Sequence, residues 1–331
     1  MATLKDIAQR AGVTATTVSR VINNRGYISE GTRKKVYAAM EEMHYQPNEL
    51  ARAFSKQYTN TIGLIVPHIS HPFFIKVISN LESSAAEKGF KLLLCNSKEQ
   101  PEKEQDYLDM CISNRVAGIV LCSKYVQTRE FHKMNIPVVN LERGGDDDTI
   151  SVQCDNYQGG KLAAEHLIEC GCKNLLHFGG VAGKDMPADR RADGFSDVCK
   201  KAGIPYRILV SDRLQYGSMH YEDFIRRALQ EFPDVDGIFA SSDLIASQVI
   251  QVGAQMGKRV PEDIQLIGFD DVMISTVTTP QITTIHQPVE EMTELCVEYI
   301  AKSLKNESVP QKIVLPVRLV QRGTTVLKTE I

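Results

Sequence analysis

Thr3-Leu4-Lys5-Asp6-Ile7-Ala8-Gln9-Arg10-Ala11-Gly12-Val13-Thr14-Ala15-Thr16-Thr17-Val18-Ser19-Arg20-Val21-Ile22-Asn23 reads as two short helices joined by a tight turn. Thr3 is placed to cap the first helix, and Asp6 three residues on completes a capping box. Leu4, Ile7, Ala8 and Ala11 recur at helical spacing as the inner stripe. Gly12 ends that helix, Val13 fills the turn, and Thr14 caps a second helix to about Ile22, facing inward with Val18, Val21 and Ile22. Such spacing is that of a helix-turn-helix. The second helix exposes Ala15, Thr16, Thr17, Ser19 and Arg20, and its small N-terminal residues allow approach to base edges. Thr16 offers thymine a hydroxyl and a methyl, and Arg20 offers guanine O6 and N7 a bidentate fork. Thr3, Thr14, Thr17, Tyr27 and Ser29 suit phosphate contacts, which position without specifying. Spacing alone also fits a solvated three-helix scaffold that touches no DNA.

Outward from this string, Ser29 caps a third helix carrying Val36, Ala39, Met40 and Met43. Tyr45-Gln46-Pro47-Asn48 breaks the pattern, residues 49–55 are helical in composition but too short to be stable alone, and 56–60 form a polar linker. From Thr61 apolar strands alternate with amphipathic helices. The pattern predicts strands at 62–66, 91–95, 118–122, 138–141, 150–154, 175–178, 208–210, 237–240, 265–269 and 313–319. It predicts helices at 72–88, 102–114, 159–169, 190–202, 221–231, 247–256 and 289–304. This is the pattern of parallel α/β sheets with right-handed crossovers, and ten strands fit two doubly wound sheets better than one. Ligands of such folds sit at the carboxyl ends of strands, here in the cleft between two lobes. Gly159-Gly160 and Gly179-Gly180 read as tight turns at the lobe interface.

The expected fold is therefore a small all-α helix-turn-helix head followed by an α/β body of two parallel-sheet lobes. Residues 1–46 form the head, 47–60 a hinge and linker, and 61–331 the body. One lobe takes about 61–158 with 289–318, the other about 159–288 with 319–331.

The net charge of −3 divides unevenly. Residues 1–60 hold nine Lys/Arg against five Asp/Glu, leaving 29 against 36 in the remainder. A basic head on an acidic body suggests a polyanionic partner at the N-terminal end only. The eight cysteines are scattered through apolar segments without a Cys-x-x-Cys pair, which suits reduced core thiols better than a metal or redox site. His68-x-x-His71 lacks a nearby carboxylate and reads as a loop lining the cleft rather than a metal site. No apolar run approaches the ~20 residues of a membrane helix, and the N-terminus lacks the apolar core of a secretory signal, so a cytoplasmic protein is expected. Nucleotide-binding glycine loops and nucleophile elbows are missing. No enzyme, cofactor or metal is expected.

Residues 3–8, 11–13, 16–23 and 45–48 with Ala51-Arg52 strongly resemble the lactose/galactose repressor (LacI/GalR) family. The resemblance resumes at Ile62-Gly63-Leu64-Ile65, Asp155-Asn156, Val260-Pro261, Ile267-Gly268-Phe269-Asp270-Asp271 and Thr283-Thr284-Ile285-His286-Gln287-Pro288. It implies a body like the periplasmic sugar-binding proteins and a hinge helix that orders only on operator DNA, paired with its dimer mate. Asn48, Ala51, Phe54 and Ser55 would then touch DNA. Phe54 stands where the family usually places a leucine that wedges into the minor groove, and a phenylalanine is also a competent wedge.

In the body, Phe73 and Phe74 match the family's pocket aromatics, whose flat faces suit the C–H side of a sugar ring, with core packing as the alternative. Arg191 matches the arginine of the family's Arg-x-x-Gly-aromatic pattern and offers a fork to vicinal hydroxyls, a carboxylate or a phosphate. Asp270, at a strand's carboxyl end, is expected to accept from ligand hydroxyls, with Asp271 facing solvent or capping the next turn. Glu142 aligns with an acidic pocket position, a surface ion pair being the alternative. Ser242 stands where relatives often carry asparagine. Tyr216 or Tyr221 is the candidate for a further stacking aromatic.

The resemblance implies a homodimeric repressor of carbohydrate-use genes on a pseudo-palindromic operator, released by a sugar or sugar phosphate, with sucrose- or fructose-type sugars suggested. Three alternatives stay open: a global catabolite regulator activated by a phosphorylated carrier protein, a repressor with a purine co-repressor, and a sugar-transport component.

Overall fold

A computed structural model describes residues 2–23, 25–45, 58–123, 136–143, 149–181 and 186–328. The chain forms two compact units, Met1–Thr59 and Asn60–Ile331.

The first unit holds α1 (Leu4–Ala11), α2 (Ala15–Ile22) and α3 (Glu30–Glu42). The expected caps are present. Thr3 Oγ1 accepts the Asp6 N–H at 3.3 Å while the Asp6 carboxylate accepts the Thr3 N–H at 2.8 Å. The Thr14 hydroxyl accepts the Thr17 N–H and the Ser29 hydroxyl that of Thr32. Gly12, at φ 66°, closes α1 in the left-handed conformation that a Cβ would strain. Ile7, Ala8, Val18, Val21, Val36 and Ala39 make the core of the unit. Leu4 does not join it as expected. It is the first helical residue, at the open end of the stripe, and it is exposed.

The second unit contains two six-stranded sheets. The first comprises β1 (Thr61–Val66), β2 (Lys91–Asn96), β3 (Gly118–Leu121), β4 (Val138–Leu141), β5 (Ile150–Cys154) and β11 (Lys312–Leu315), in spatial order β11-β5-β4-β3-β1-β2 and parallel throughout. The second comprises β6 (Leu175–Val181), β7 (Tyr206–Ser211), β8 (Gly237–Ala240), β9 (Gln265–Asp270), β10 (Thr283–His286) and β12 (Arg318–Val320), in order β12-β10-β9-β8-β6-β7. It is parallel except for β12, which runs antiparallel to β10. The single strand expected at 313–319 is thus two short strands in different sheets. Pro316 lacks the N–H a continuing ladder needs, and the chain passes between lobes there.

Helices α4 (Pro72–Glu87), α5 (Pro101–Ser113) and α12 (Val289–Ser303) pack with the first sheet. The second lobe carries α6 (Asn156–Glu169), α7 (Arg190–Ala202), α8 (Arg213–Ser218), α9 (Glu222–Glu231), α10 (Asp243–Gln255) and α11 (Ile274–Val277). The main chain crosses between lobes after β5, after β10 and after β11. All eight cysteines are buried free thiols.

Gly159-Gly160 is not a turn. Both residues lie within α6, where a Cβ on Gly160 would come within 1.9 Å of the Arg191 carbonyl oxygen. Gly194 of α7 is equally close to α6, 2.0 Å from the Tyr157 carbonyl. Two glycines therefore let α6 and α7 touch backbone to backbone. Gly179-Gly180 lies within β6 and borders the cleft.

Candidate functional site

Between the lobes a cleft encloses a cavity of about 150 Å³. A water takes about 10–15 Å³ on this measure, so the cavity holds on the order of ten small polar atoms. The carboxyl ends of strands of both sheets border it, through Pro67, Cys122, Ser123 and Glu142 on one side and Ser211, Ser241, Asp270 and Gln287 on the other.

A polar chain runs beneath it across the lobes. Glu142, after β4, accepts from the Cys154 N–H and, at 3.0 Å, from Asn156 Nδ2. Asn156 Oδ1 in turn accepts from Arg191 Nε at 2.8 Å, and Arg191 Nη1 donates to the Ser241 carbonyl at 2.6 Å. The guanidinium lies over Phe269, its carbon 3.5 Å from the ring centre. Arg191 is held at these three points, its Nη2 has no partner among the described residues, and the α6–α7 contact brings the side chain to the cleft. Asn156 heads α6 because Asp155 caps that helix, accepting the Gln158 N–H at 2.9 Å.

Asp270 faces Arg191 across the cavity wall. Its Oδ1 accepts from Gln287 Nε2 at 2.6 Å, and Oδ2 has no protein donor among the described residues. Burial pushes the Asp270 carboxyl up to about 7, an effect that outweighs the Arg191 charge, the Gln287 bond and the Lys76 charge, all of which favour the anion, while Glu142 opposes it. The backbone here is strained, with φ 106° at Asp270 and 55° at Asp271. Such residues persist when their surroundings hold them at a cost of about 1–3 kcal/mol each. Asp243 does part of the holding: Oδ2 accepts the Val272 N–H at 2.9 Å and Oδ1 the Thr284 hydroxyl at 2.6 Å. Burial, and then the nearby Asp270 charge, raise the Asp243 carboxyl well above the usual range. Of the two expectations for Asp271, facing solvent or capping the next turn, the first fails, and the Ser275 hydroxyl of that turn donates to its carboxylate at 3.4 Å. Its carboxylate accepts from Arg322 at 2.6 Å and His286 at 2.8 Å, so it holds the turn from behind.

The aromatic wall is Phe73 and Phe74, edge to face at 5.2 Å, with His71 edge-on to Phe74 at 5.7 Å. His71 Nδ1 caps α4 by accepting the Phe73 N–H, and burial lowers the imidazole to about 4, so it is neutral at pH 7. Tyr216, on α8 of the second lobe, meets His68 and His71 of the first at 5.4 and 6.3 Å. Tyr221 also borders the cleft but is buried, its N–H given to Gln248. Ser242 borders it too. Its hydroxyl accepts the Ile245 N–H as cap of α10, and its proton remains to donate.

The structure thus brings Phe73, Phe74, Glu142, Arg191, Ser242 and Asp270 to one cavity. The sequence reading gave no ligand role to Ser123 or Gln287. Both border the cavity, and Ser123 Oγ and Gln287 Oε1 are buried without a partner among the described residues. It also gave none to Asn156. A signal existed at Asn156, since Asp155-Asn156 puts an amide where the 150–154 strand pattern ends and a helix soon begins.

In the head unit, Thr16 and Arg20 project from α2 into solvent, and Arg20 makes no ion pair among the described residues. Ala15, Thr17 and Ser19 are half-buried, and Tyr27 is 98% exposed. Thr3, Thr14 and Ser29 are spent as caps, but each marks a helix start whose N–H groups suit an anion. Asn48, Ala51, Phe54 and Ser55 lie outside the described residues. Among the described residues no helix is long and apolar enough to cross a membrane.

Residues 3–48 match the family described as bacterial regulatory proteins, lacI family, and residues 164–325 match a periplasmic binding protein-like domain. A ribose operon repressor from Halalkalibacterium halodurans is 33% identical over 326 residues, 98% of this chain and 97% of that protein. A sucrose operon repressor from Pediococcus pentosaceus is 34% identical over 97% of this chain and 98% of its own length. Among solved structures, a periplasmic binding protein/LacI transcriptional regulator from Alkaliphilus metalliredigens complexed with D-xylulofuranose aligns with a TM-score of 0.72 at 32% identity, over 81% of this chain and all of that one.

Proposed function

Because this chain belongs to the lacI family of bacterial regulatory proteins, we propose that it is a DNA-binding transcriptional repressor that leaves its operator when a small neutral sugar fills the cleft. The observation that carries the sugar reading is the pairing of Asp270 Oδ2 with the Arg191 guanidinium in one cavity walled by Phe73, Phe74 and Tyr216. A carboxylate and a guanidinium recognise adjacent hydroxyls as acceptor and donor, and aromatic faces cover the C–H side of the ring. The cavity of about 150 Å³ suits a furanose-sized molecule. Relatives named for ribose and sucrose operons, and a neighbour holding D-xylulofuranose, support the same class.

Charge argues against a phosphorylated sugar. Among the described residues bordering the cavity, Glu99, Glu142, Asp189 and Asp270 stand against Arg191, with His71 neutral. A phosphate of charge about −1.5 to −2 would meet mostly like charges there.

A cytoplasmic homodimer binds a pseudo-palindromic operator, each head reading one half-site with Thr16 and Arg20. Phe54 wedges into the operator centre. Sugar in the cleft changes the lobe angle and with it the fit of the two hinges to DNA.

The test is fluorescence anisotropy on a duplex selected from random sequence, titrated with D-ribose, D-xylulose, D-fructose, sucrose, their phosphates, hypoxanthine and guanine. One neutral sugar should lower operator affinity by about 10- to 100-fold. Release by a phosphate ester alone, or tightening by a purine, would overturn the neutral-inducer reading.

A further inference from the structure

Lys76 belongs to α4 of the first lobe and does not border the cavity. Its side chain is only 19% exposed, and its ammonium stands 3.6 Å from Glu290 Oε1 on α12 of the same lobe. Lys76 Nζ donates to the carbonyl oxygen of Asp271, at 3.4 Å, in the second lobe.

That carbonyl belongs to the strained turn that presents Asp270 to the cavity. Other ties on the turn come from the second lobe itself: Asp243 takes the Val272 N–H, and Arg322 and His286 hold the Asp271 carboxylate. Gln287, whose Nε2 donates to Asp270 Oδ1, sits on the crossover. The Lys76 bond joins the turn to the other lobe. A long ammonium–carbonyl bond beside a loose ion pair is also the kind of contact that forms and breaks at small cost, unlike a tight buried ion pair, whose rupture leaves a charge stranded.

We propose that Lys76 is a positioning residue that ties the Asp270–Val272 turn to the first lobe, so that ligand at Asp270 and the angle between lobes act on each other through this contact. The proposal rests on the cleft being the effector site. The charge of Lys76 acts in the same sense, favouring ionised Asp270, which also faces Arg191 from α7, Glu142 from the end of β4 and Asp243 from α10.

The experiment compares the full-length protein with Lys76→Met and Lys76→Arg. Without any sugar, hydrogen exchange of the peptide covering residues 268–275 should quicken at least about fivefold in Lys76→Met and return towards wild type in Lys76→Arg. In the second arm D-ribose binding is measured by calorimetry from pH 6 to 8.5. Wild-type affinity should rise with pH as Asp270 ionises, and the midpoint should move to higher pH in Lys76→Met, which mere loss of packing would not do. Unchanged exchange at 268–275, or an unmoved midpoint, overturns the tie. Quickened exchange without D-ribose binding to wild type supports the tie and moves the failure to the choice of effector.

Discussion

Gln287 Nε2 donates to Asp270 Oδ1 at 2.6 Å, so the carboxylate that faces the cavity is fastened to the strand-to-helix segment where the chain changes lobes. A hydrogen bond to a charged group contributes about 1.5–3 kcal/mol. Allosteric coupling between two sites typically needs about 1–3 kcal/mol. One bond of this kind, strengthened or lost when hydroxyls reach Asp270, therefore carries enough free energy to bias the lobe angle.

Replacing Asp270 by Asn should abolish the response to sugar and stabilise the protein. The folded carboxyl titrates near 7 against a usual 3.8, so the folded state holds its proton more tightly than the unfolded chain. That preference contributes fully below about pH 4 and is lost as pH rises through 7. At pH 8 the ionised, buried group is a burden on the order of 1–4 kcal/mol, which the amide removes. Urea unfolding of the sugar-free protein should show Asp270→Asn more stable at pH 8, with the gap shrinking towards pH 5. An equal gap at both pH values would contradict the assignment.

Gly160→Ala places a methyl 1.9 Å from a backbone oxygen that cannot swing aside. Overpacking costs about 1–3 kcal/mol, and a backbone clash belongs at or above the top of that range. The denaturation midpoint should fall accordingly, and any folded fraction should bind sugar weakly because α7 carries Arg191. Gly12→Ala, with open space but a left-handed backbone, should cost about 1 kcal/mol in the head and leave sugar affinity unchanged.

Arg20→Ala should weaken operator binding by about 1–3 kcal/mol and relax preference at one base pair per half-site. A binding-site selection with the variant reads this directly. A uniform loss over all sequences, with a shallower salt dependence, would make Arg20 a phosphate contact instead.

Phe54→Ala should reduce operator affinity at least tenfold, about 1.4 kcal/mol, while calorimetry finds sugar binding intact. Unchanged affinity in the operator titration would remove the wedge.

The head was legible almost to the residue because its signals are local: caps three residues apart, a glycine stop and a helical apolar stripe. Nine of the ten expected strands each match one strand of the two sheets for the same reason, each being a short apolar run between turns, while the tenth divides at Pro316. β10 escaped because Thr283-Thr284 looks like loop. Its polar groups are satisfied by Thr324, Thr325 and Asp243, all about forty residues away in sequence. Gly159-Gly160 was misread because a glycine pair announces a turn locally, while its actual reason, the carbonyl of Arg191, lies on another helix. The cavity followed the same division. Arg191 and Asp270 stood out as charges in marked strings, whereas the amides of Asn156 and Gln287 gained meaning only from the partners that the fold supplies.

The late return of the chain to the first sheet bears on the moment of synthesis. Strand β11 pairs with β5 only after some 150 further residues, and β12 joins its sheet later still. The head, whose core is drawn from residues 7–39 alone, can fold while the ribosome is still reading the body. The lobes cannot be completed until their last strands have emerged. A nascent chain thus acquires a DNA-reading surface well before it acquires a finished cavity, and sensing is the last property the growing protein gains.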